Sequence, residues 1–100
     1  MTPVCKVSEL TPGSMKTVNV SGKRIAVANI DGQYFAIDDA CSHVGCSLGS
    51  EGFLDGTTVT CGCHGAQFDI TNGKVLALPA VSDVSSYEVT VEGDMVSVAV

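Results

Sequence analysis

The chain has 100 residues and a formal net charge of −6, with 5 basic side chains against 11 acidic ones. So few positive charges argue against nucleic acid or an anionic membrane surface as a partner. No apolar run approaches the roughly 18 residues of a membrane-spanning helix, and the first residues lack the basic and apolar segments of a secretion signal. We therefore expect one domain, residues 1–100, that is soluble and cytoplasmic and has no membrane anchor.

The hydrophobic pattern predicts an all-β fold. Short β-branched runs separated by turn residues occupy both ends of the chain. The predicted strands cover residues 4–7, 17–20, 24–30, 33–37, 87–92 and 95–100. Asp31-Gly32, Asn72-Gly73 and Gly93-Asp94 have the composition of tight hairpin turns. Helical periodicity is confined to about one turn at residues 8–10.

The middle of the chain, residues 40–79, differs from both ends in composition. It contains four of the five cysteines, both histidines and seven of the eleven glycines. We therefore predict a base subdomain formed by residues 1–39 and 80–100, and an inserted glycine-rich subdomain, residues 40–79, that carries the chemistry. One continuous barrel is the alternative.

Two Cys/His pairs, Cys41-x-His43 and Cys61-x-x-His64, give the middle of the chain the side chains of a metal site. Clustered cysteines in a chain without a secretion signal favour a metal over a disulfide scaffold. Structural zinc and a Rieske [2Fe–2S] cluster both use two cysteines and two histidines. Zinc modules usually place like residues together in one loop, as in CxxC. Here each loop supplies one cysteine and one histidine, which favours the cluster.

At these residues the sequence resembles the Rieske family, and the resemblance extends over the whole chain. The motifs that match are Cys41-Ser42-His43-Val44-Gly45, Cys61-Gly62-Cys63-His64-Gly65, Phe68-Asp69, Thr71-Asn72-Gly73 and Pro79-Ala80. The resemblance implies a Rieske-type antiparallel β sandwich or barrel that holds one [2Fe–2S] cluster per chain. It also implies that Cys41 and Cys61 bind one iron and that His43 and His64 bind the other.

Two further cysteines lie on the same two loops. In respiratory and photosynthetic Rieske proteins, the cysteines at these positions form a disulfide between the ligand loops. The resemblance therefore implies a bridge between Cys46 and Cys63, with two free buried thiols in a reducing cytosol as the alternative. Cys5, in a predicted strand, is expected to be a core residue without a redox role.

The residues after His64 bear on the reduction potential. High-potential family members have Gly-Ser-x-Tyr there, and both hydroxyls donate hydrogen bonds to sulfur atoms at the cluster. This chain has Gly65-Ala66-Gln67-Phe68, without either hydroxyl. We therefore predict a potential in the lower part of the family's range of about −150 to +300 mV. The predicted cluster environment comprises Val44, Gly45, Gly62, Gly65, Ala66, Phe68 and Pro79.

The predicted function is that of a soluble one-electron carrier rather than an enzyme, because no nucleophile–base pair or phosphate-binding loop is present and we assign no catalytic residue. The resemblance implies a ferredoxin reductase and a terminal oxygenase or oxidase as partners. The protein is expected to be a monomer unless it is the small Rieske subunit of a larger oxidoreductase, which is the alternative function. A zinc-stabilised interaction module and a thiol sensor with a reducible Cys46–Cys63 bond are further alternatives.

Overall fold

The computed structural model describes residues 2–39, 47–62, 66–77 and 83–99. The strands in these ranges are β1 (Thr2–Lys6), β2 (Met15–Val20), β3 (Lys23–Ile30), β4 (Gln33–Asp38), β5 (Phe53–Asp55), β6 (Thr58–Thr60), β7 (Gln67–Asp69), β8 (Val75–Ala77), β9 (Ser86–Tyr87), β10 (Val89–Glu92) and β11 (Met95–Val98). Val7–Glu9 form a 3₁₀ turn, and Leu48–Glu51 form one turn of helix, α1. In the part of the chain that the structure describes, neither helical segment has the length or apolar character needed to cross a bilayer.

The described residues form three antiparallel sheets, which confirms the all-β prediction. Their strand orders are β1-β11-β10, β2-β3-β4-β9 and β5-β6-β7-β8. The first two sheets contain strands from both ends of the chain, because β1 pairs with β11 and β4 pairs with β9. The third sheet contains consecutive strands from the middle of the chain only. The predicted subdomain boundaries, at residues 39/40 and 79/80, lie outside the described residues.

The prediction of one strand at residues 87–92 is wrong. Tyr87 pairs with Ala36 of β4, whereas Val89 pairs with Val98 of β11, so the chain passes from one sheet to another at Glu88. The alternation of side chains continues across this point, and alternation does not reveal which strand is the partner. The Glu88 carbonyl accepts a hydrogen bond from the Ala99 N–H at 2.9 Å, which fixes the crossing point.

Strand β3 is buried on both faces and separates two hydrophobic cores. Ile25 and Val27 face the first core, between the two sheets that contain the chain ends. Ala26 and Ala28, on the opposite face, belong to the second core together with residues of the β5–β8 sheet. Successive side chains in a strand point to opposite faces, so the bulky and small residues of β3 are sorted between the two cores. The small alanines leave room for the large side chain of Phe68, which is fully buried in the second core.

Gly73 attaches the β7–β8 hairpin to the segment before β9. Its backbone has a φ of +77°, which side-chain-bearing residues rarely adopt, and a Cβ at this position would overlap the Val84 carbonyl. The Gly73 carbonyl accepts a hydrogen bond from the Val84 N–H at 2.9 Å. The predicted Asn72-Gly73 hairpin turn is therefore confirmed, and it also connects the third sheet to the rest of the fold.

Candidate metal centre

Four of the predicted site residues are described by the structure: Cys61, Gly62, Ala66 and Phe68. The other predicted ligands, bridge cysteines and cluster neighbours lie outside the described residues; these are Cys41, His43, Val44, Gly45, Cys46, Cys63, His64, Gly65 and Pro79. Within the described ranges, no three Cys, His, Asp or Glu side chains converge on a possible metal position. The described parts of the site are the strands and contacts on either side of the two ligand segments.

Cys61 follows directly after β6, at the start of the loop that contains His64. Its backbone N–H donates a hydrogen bond to the Ala66 carbonyl at 2.7 Å. One step back along the hairpin, Thr60 pairs with Gln67 in the β6–β7 ladder. The residues on either side of 62–65 are therefore held together by regular antiparallel pairing and one further hydrogen bond. The backbone of Cys61 is held in place by the sheet.

The surroundings of Cys61 are apolar. Its side chain is 1% exposed and belongs to the second core together with Ala66 and Phe68, which are both fully buried. Cys61 forms no disulfide with any residue that the structure describes. A buried thiol at a strand end is a suitable sulfur ligand for an iron–sulfur cluster, because the surroundings exclude water and supply no competing donor from Ala66 or Phe68. The described part of the donor set therefore fits the cluster.

Asp39, which lies outside the Cys/His motifs of the sequence, binds the residues that follow the segment containing Cys41 and His43. Its backbone carbonyl accepts a hydrogen bond from the Leu48 N–H at 2.7 Å, across residues 40–46. Its Oδ1 accepts hydrogen bonds from the Gly49 N–H and the Thr17 hydroxyl, both at 2.8 Å. The Thr17 and Ser47 hydroxyls are hydrogen-bonded to each other at 3.1 Å. The feature of the sequence that could have pointed to Asp39 is an acidic residue between the apolar strand 33–37 and the Cys-x-His motif.

The Asp39 side chain is an acidic group buried without full hydrogen bonding. It is 0% exposed, and its Oδ2 accepts no hydrogen bond from any residue that the structure describes. The Arg24 Nε lies 3.8 Å from this oxygen, and the Arg24 side chain is 48% exposed. A buried carboxylate is costly unless it is paired and hydrogen-bonded. Arg24 and the two donors to Oδ1 compensate part of this cost.

A cavity of about 360 Å³ lies beside Arg24, at the end of the sheet where β4 leads into the first loop. It is lined by Gly22, Lys23, Arg24, Asp38, Ser85 and Tyr87. The Tyr87 hydroxyl donates a hydrogen bond to Asp38 Oδ1 at 2.5 Å, and the Ser85 N–H donates one to Asp38 Oδ2 at 3.3 Å. Burial, reinforced by the Asp38 carboxylate, raises the pKa of Tyr87 to about 12. Tyr87 is therefore a protonated hydrogen-bond donor at neutral pH rather than a base.

Comparison with known proteins identifies the family of the chain. The model of the Rieske [2Fe–2S] domain family matches residues 1–88. The chain belongs to the Rieske [2Fe–2S] family. The predicted cofactor, one [2Fe–2S] cluster, is confirmed, and the alternative of a zinc module is wrong. This Rieske protein is an electron carrier and not itself an enzyme, as its relatives show.

Its relatives include ferredoxin components of dioxygenases. The Rieske protein is 39% identical to the ferredoxin component of biphenyl 2,3-dioxygenase from Rhodococcus jostii (strain RHA1), over 98% of this chain and 91% of the relative. Among solved structures, it matches the ferredoxin of carbazole 1,9a-dioxygenase from Nocardioides aromaticivorans IC177 with a TM-score of 0.92 and 31% identity, covering 99% of this chain and 98% of that one. A structure described as a complex of reduced oxygenase and oxidized ferredoxin in carbazole 1,9a-dioxygenase matches with a TM-score of 0.90 and 36% identity, covering 97% and 90%.

Proposed function

We propose that this Rieske protein receives single electrons from a ferredoxin reductase and delivers them to a terminal oxygenase. The likeness to the ferredoxin-and-oxygenase complex of carbazole 1,9a-dioxygenase, over 97% of this chain, carries the proposal. A net charge of −6 on 100 residues also suits docking on a basic patch of a partner protein. We also propose that the protein is a soluble cytoplasmic monomer, in keeping with relatives named as ferredoxin components.

The proposed ligands are Cys41 and Cys61 on one iron and His43 and His64 on the other. When bound, such a cluster takes up and releases one electron at a potential raised by its histidine ligands. The chain contributes the placement of these side chains. The β6–β7 pairing holds Cys61 at the base of the second loop, and the hydrogen bonds of Asp39 close the base of the first loop.

The proposed division of the chain into a base and an insert is supported by the composition of the sheets. Every strand of the β5–β8 sheet lies within residues 53–77, and the strands of the other two sheets come from residues 2–38 and 86–98. We propose that residues 40–79 form the cluster-binding subdomain and that residues 1–39 and 80–100 form its base. Both proposed ligand loops then lie on the insert, where the third sheet supports one of them directly.

A low reduction potential follows from Ala66 and Phe68, and hydroxyls introduced at these positions test it. We expect Ala66→Ser and Phe68→Tyr each to raise the potential by up to about 0.1 V. A donor to a sulfur atom stabilises the more negative reduced state by about 1.5–3 kcal/mol, and one factor of ten in a one-electron equilibrium is about 59 mV. The measurement is an EPR-monitored potentiometric titration of the cluster-loaded protein.

The matched control for these variants is Phe53→Tyr, which adds the same hydroxyl to an exposed side chain of the same sheet. Its potential should equal that of the wild type. A wild-type potential above about +200 mV would contradict the argument, since this is the upper part of the family range. A Phe68→Tyr protein that is less stable but has the wild-type potential would also contradict the argument, because its buried hydroxyl would then not be bonded to a sulfur atom.

The proposed Cys46–Cys63 bridge would tie the two ligand loops together. Its support is the match of both positions to the respiratory Rieske pattern, together with the placement of Cys63 in the loop that begins at Cys61. Alkylation of the intact, cluster-loaded protein without reductant, followed by mass measurement, tests it. Modification at Cys46 and Cys63 would refute the bridge. A bridge that resists cytosolic reductants would also argue against the thiol sensor.

Electron delivery is tested by mixing the dithionite-reduced protein anaerobically with the oxidised oxygenase component of carbazole 1,9a-dioxygenase. We expect the EPR signal of the reduced carrier to fall as the oxygenase becomes reduced. That system's own ferredoxin serves as the positive control. Delivery to this class of oxygenase is refuted if the control ferredoxin reduces the oxygenase but this protein does not. In that case the EPR signal of the reduced protein would decay no faster with the oxygenase than in buffer alone. The native mass of the untagged protein from its source separates a free carrier from the subunit of a larger oxidoreductase.

A further inference from the structure

We propose that Asp39 is a positioning residue for the first ligand loop, and that its buried negative charge lowers the reduction potential of the cluster. The inference rests on the proposed ligand assignment, in which Cys41 and His43 lie in this loop. It adds a residue outside the Cys/His motifs to the machinery that sets the potential.

The geometry of Asp39 fixes the start of the loop against its end. Its N–H donates a hydrogen bond to the Arg24 carbonyl at 3.1 Å, which continues the β3–β4 pairing by one residue. Its carbonyl and its Oδ1 then accept hydrogen bonds from two successive backbone N–H groups after the loop, those of Leu48 and Gly49. One residue thus holds the segments on both sides of residues 40–46. Any shift of Asp39 would change the separation of the loop ends.

The side-chain contacts leave little freedom for this arrangement to change. The Thr17 hydroxyl joins Asp39 Oδ1 and Ser47 to strand β2. A Cβ on Gly49 would overlap Thr17 Oγ1 and would lie 2.9 Å from Asp39 Oδ1, so the close approach requires glycine. Polar groups that orient the ligands of a metal site typically affect metal affinity or activity by about 10–100-fold. We expect the hydrogen bonds of Asp39 to act on Cys41 and His43 in this way.

The carboxylate of Asp39 also places a buried negative charge at the start of the first ligand segment. The side chain is fully buried, and Arg24 is its cationic partner at 3.8 Å. The same carboxylate also accepts hydrogen bonds from Thr17 and Gly49, so its charge and its hydrogen bonds have to be separated by experiment. A negative charge near the cluster opposes the arrival of an electron, and the half-exposed Arg24 at 3.8 Å offsets this charge only in part. The carboxylate therefore adds to the effect of the missing hydroxyls at Ala66 and Phe68.

Three variants separate charge from hydrogen bonding in the cluster-loaded protein. Asp39→Asn removes the charge and keeps an oxygen that can accept from Thr17 and Gly49. Thr17→Val keeps the charge and removes one donor. Asp55→Asn, at an exposed turn-side position of β5, removes one negative charge elsewhere and is the matched control. Each protein is examined by EPR potentiometry, by the g values of its reduced state and by the rate of iron loss to an added chelator.

For Asp39→Asn, we expect the ratio of reduced to oxidised protein at a fixed potential to rise about tenfold, which corresponds to about 59 mV. For Thr17→Val, we expect altered g values, iron loss faster by about tenfold and a smaller change in potential. Asp55→Asn should match the wild type in all three measurements. The proposal is overturned if Asp39→Asn keeps the wild-type potential, g values and rate of iron loss. A role in stability alone would lower the unfolding midpoint and leave the potential and g values unchanged, and this result would also overturn it.

Two further outcomes are decided by the same set of proteins. If Asp39→Asn does not accumulate as folded protein, Thr17→Val decides the question, and wild-type g values and iron loss in that variant overturn the proposal. Cys41→Ala tests the ligand assignment separately. A Cys41→Ala protein that keeps its cluster shows that the ligand assignment has failed. A Cys41→Ala protein that loses its cluster, beside an unchanged Asp39→Asn protein, shows that only the inference about Asp39 has failed.

Discussion

Replacing Cys61 by alanine is expected to lower the cluster content from one per chain to roughly none, because the cluster would lose one of its two thiolates. Cys61 is 1% exposed, and its N–H donates a hydrogen bond to the Ala66 carbonyl next to the β6–β7 pairing, so its position is set by the sheet. Iron and acid-labile sulfide analysis of the purified protein, together with EPR after dithionite reduction, measures the loss. Circular dichroism checks that the β structure is retained.

The matched control is Cys5→Ala. Cys5 is also buried, but it lies in the other core, on β1 beside β11. Burial raises the pKa of the Cys5 thiol, so it stays protonated and unreactive at neutral pH. The Cys5→Ala protein should therefore keep its full cluster content and its EPR signal. A Cys61→Ala protein with wild-type iron, sulfide and g values would contradict the placement of Cys61 among the ligands.

Replacing Phe68 by alanine is expected to give the largest loss of stability that can be foreseen from the described residues. Phe68 is the largest of the fully buried side chains and packs in the core between β3 and the β5–β8 sheet. Truncation of a buried phenylalanine costs about 3–5 kcal/mol, through lost burial and the cavity that remains. Urea unfolding followed by far-UV circular dichroism measures the change, with wild type and variant prepared at equal cluster content.

Phe53→Ala provides the comparison within the same sheet. Phe53 lies on β5 and is 58% exposed, so its truncation should change the unfolding free energy by no more than about 0.5 kcal/mol. The two variants remove the same atoms from side chains that differ in burial. If both proteins unfold at the same urea concentration, Phe68 does not have the role in the core that its burial indicates.

The part of the fold that could be predicted from the sequence is the part with local signals. Strands β3 and β4 were predicted within one residue at each end, because a β-branched run meets Asp31-Gly32, a strong turn signal. Strands β5 to β8 were not predicted individually, since three residues are too few for alternation to be recognised. The break at Glu88 depends on which strand is the partner, and that information is not local.

The candidate site also has features that the local sequence predicts and features that depend on the folded chain. The spacing of Cys41, His43, Cys61 and His64 carries the chemistry in the sequence itself, and the family match confirms the cluster that it predicted. The burial of Ala66 and Phe68 beside Cys61 is a property of the folded chain. The contact between Asp39 and Gly49 joins residues on opposite sides of the loop. No local pattern predicts such a contact, because it depends on how the loop closes.

Strand β3 has a consequence for how this protein can lose its structure. Four successive residues of β3 are completely buried and supply side chains to both cores: Ile25, Ala26, Val27 and Ala28. Local opening of one core would therefore also expose the β3 side chains of the other core. This favours a single cooperative unfolding transition over separate unfolding of the two cores. Their amide hydrogens should accordingly exchange only through global unfolding. The region around Cys61 should therefore unfold together with the paired ends of the chain. A destabilising substitution in either core would then shorten the time for which the whole electron carrier stays folded.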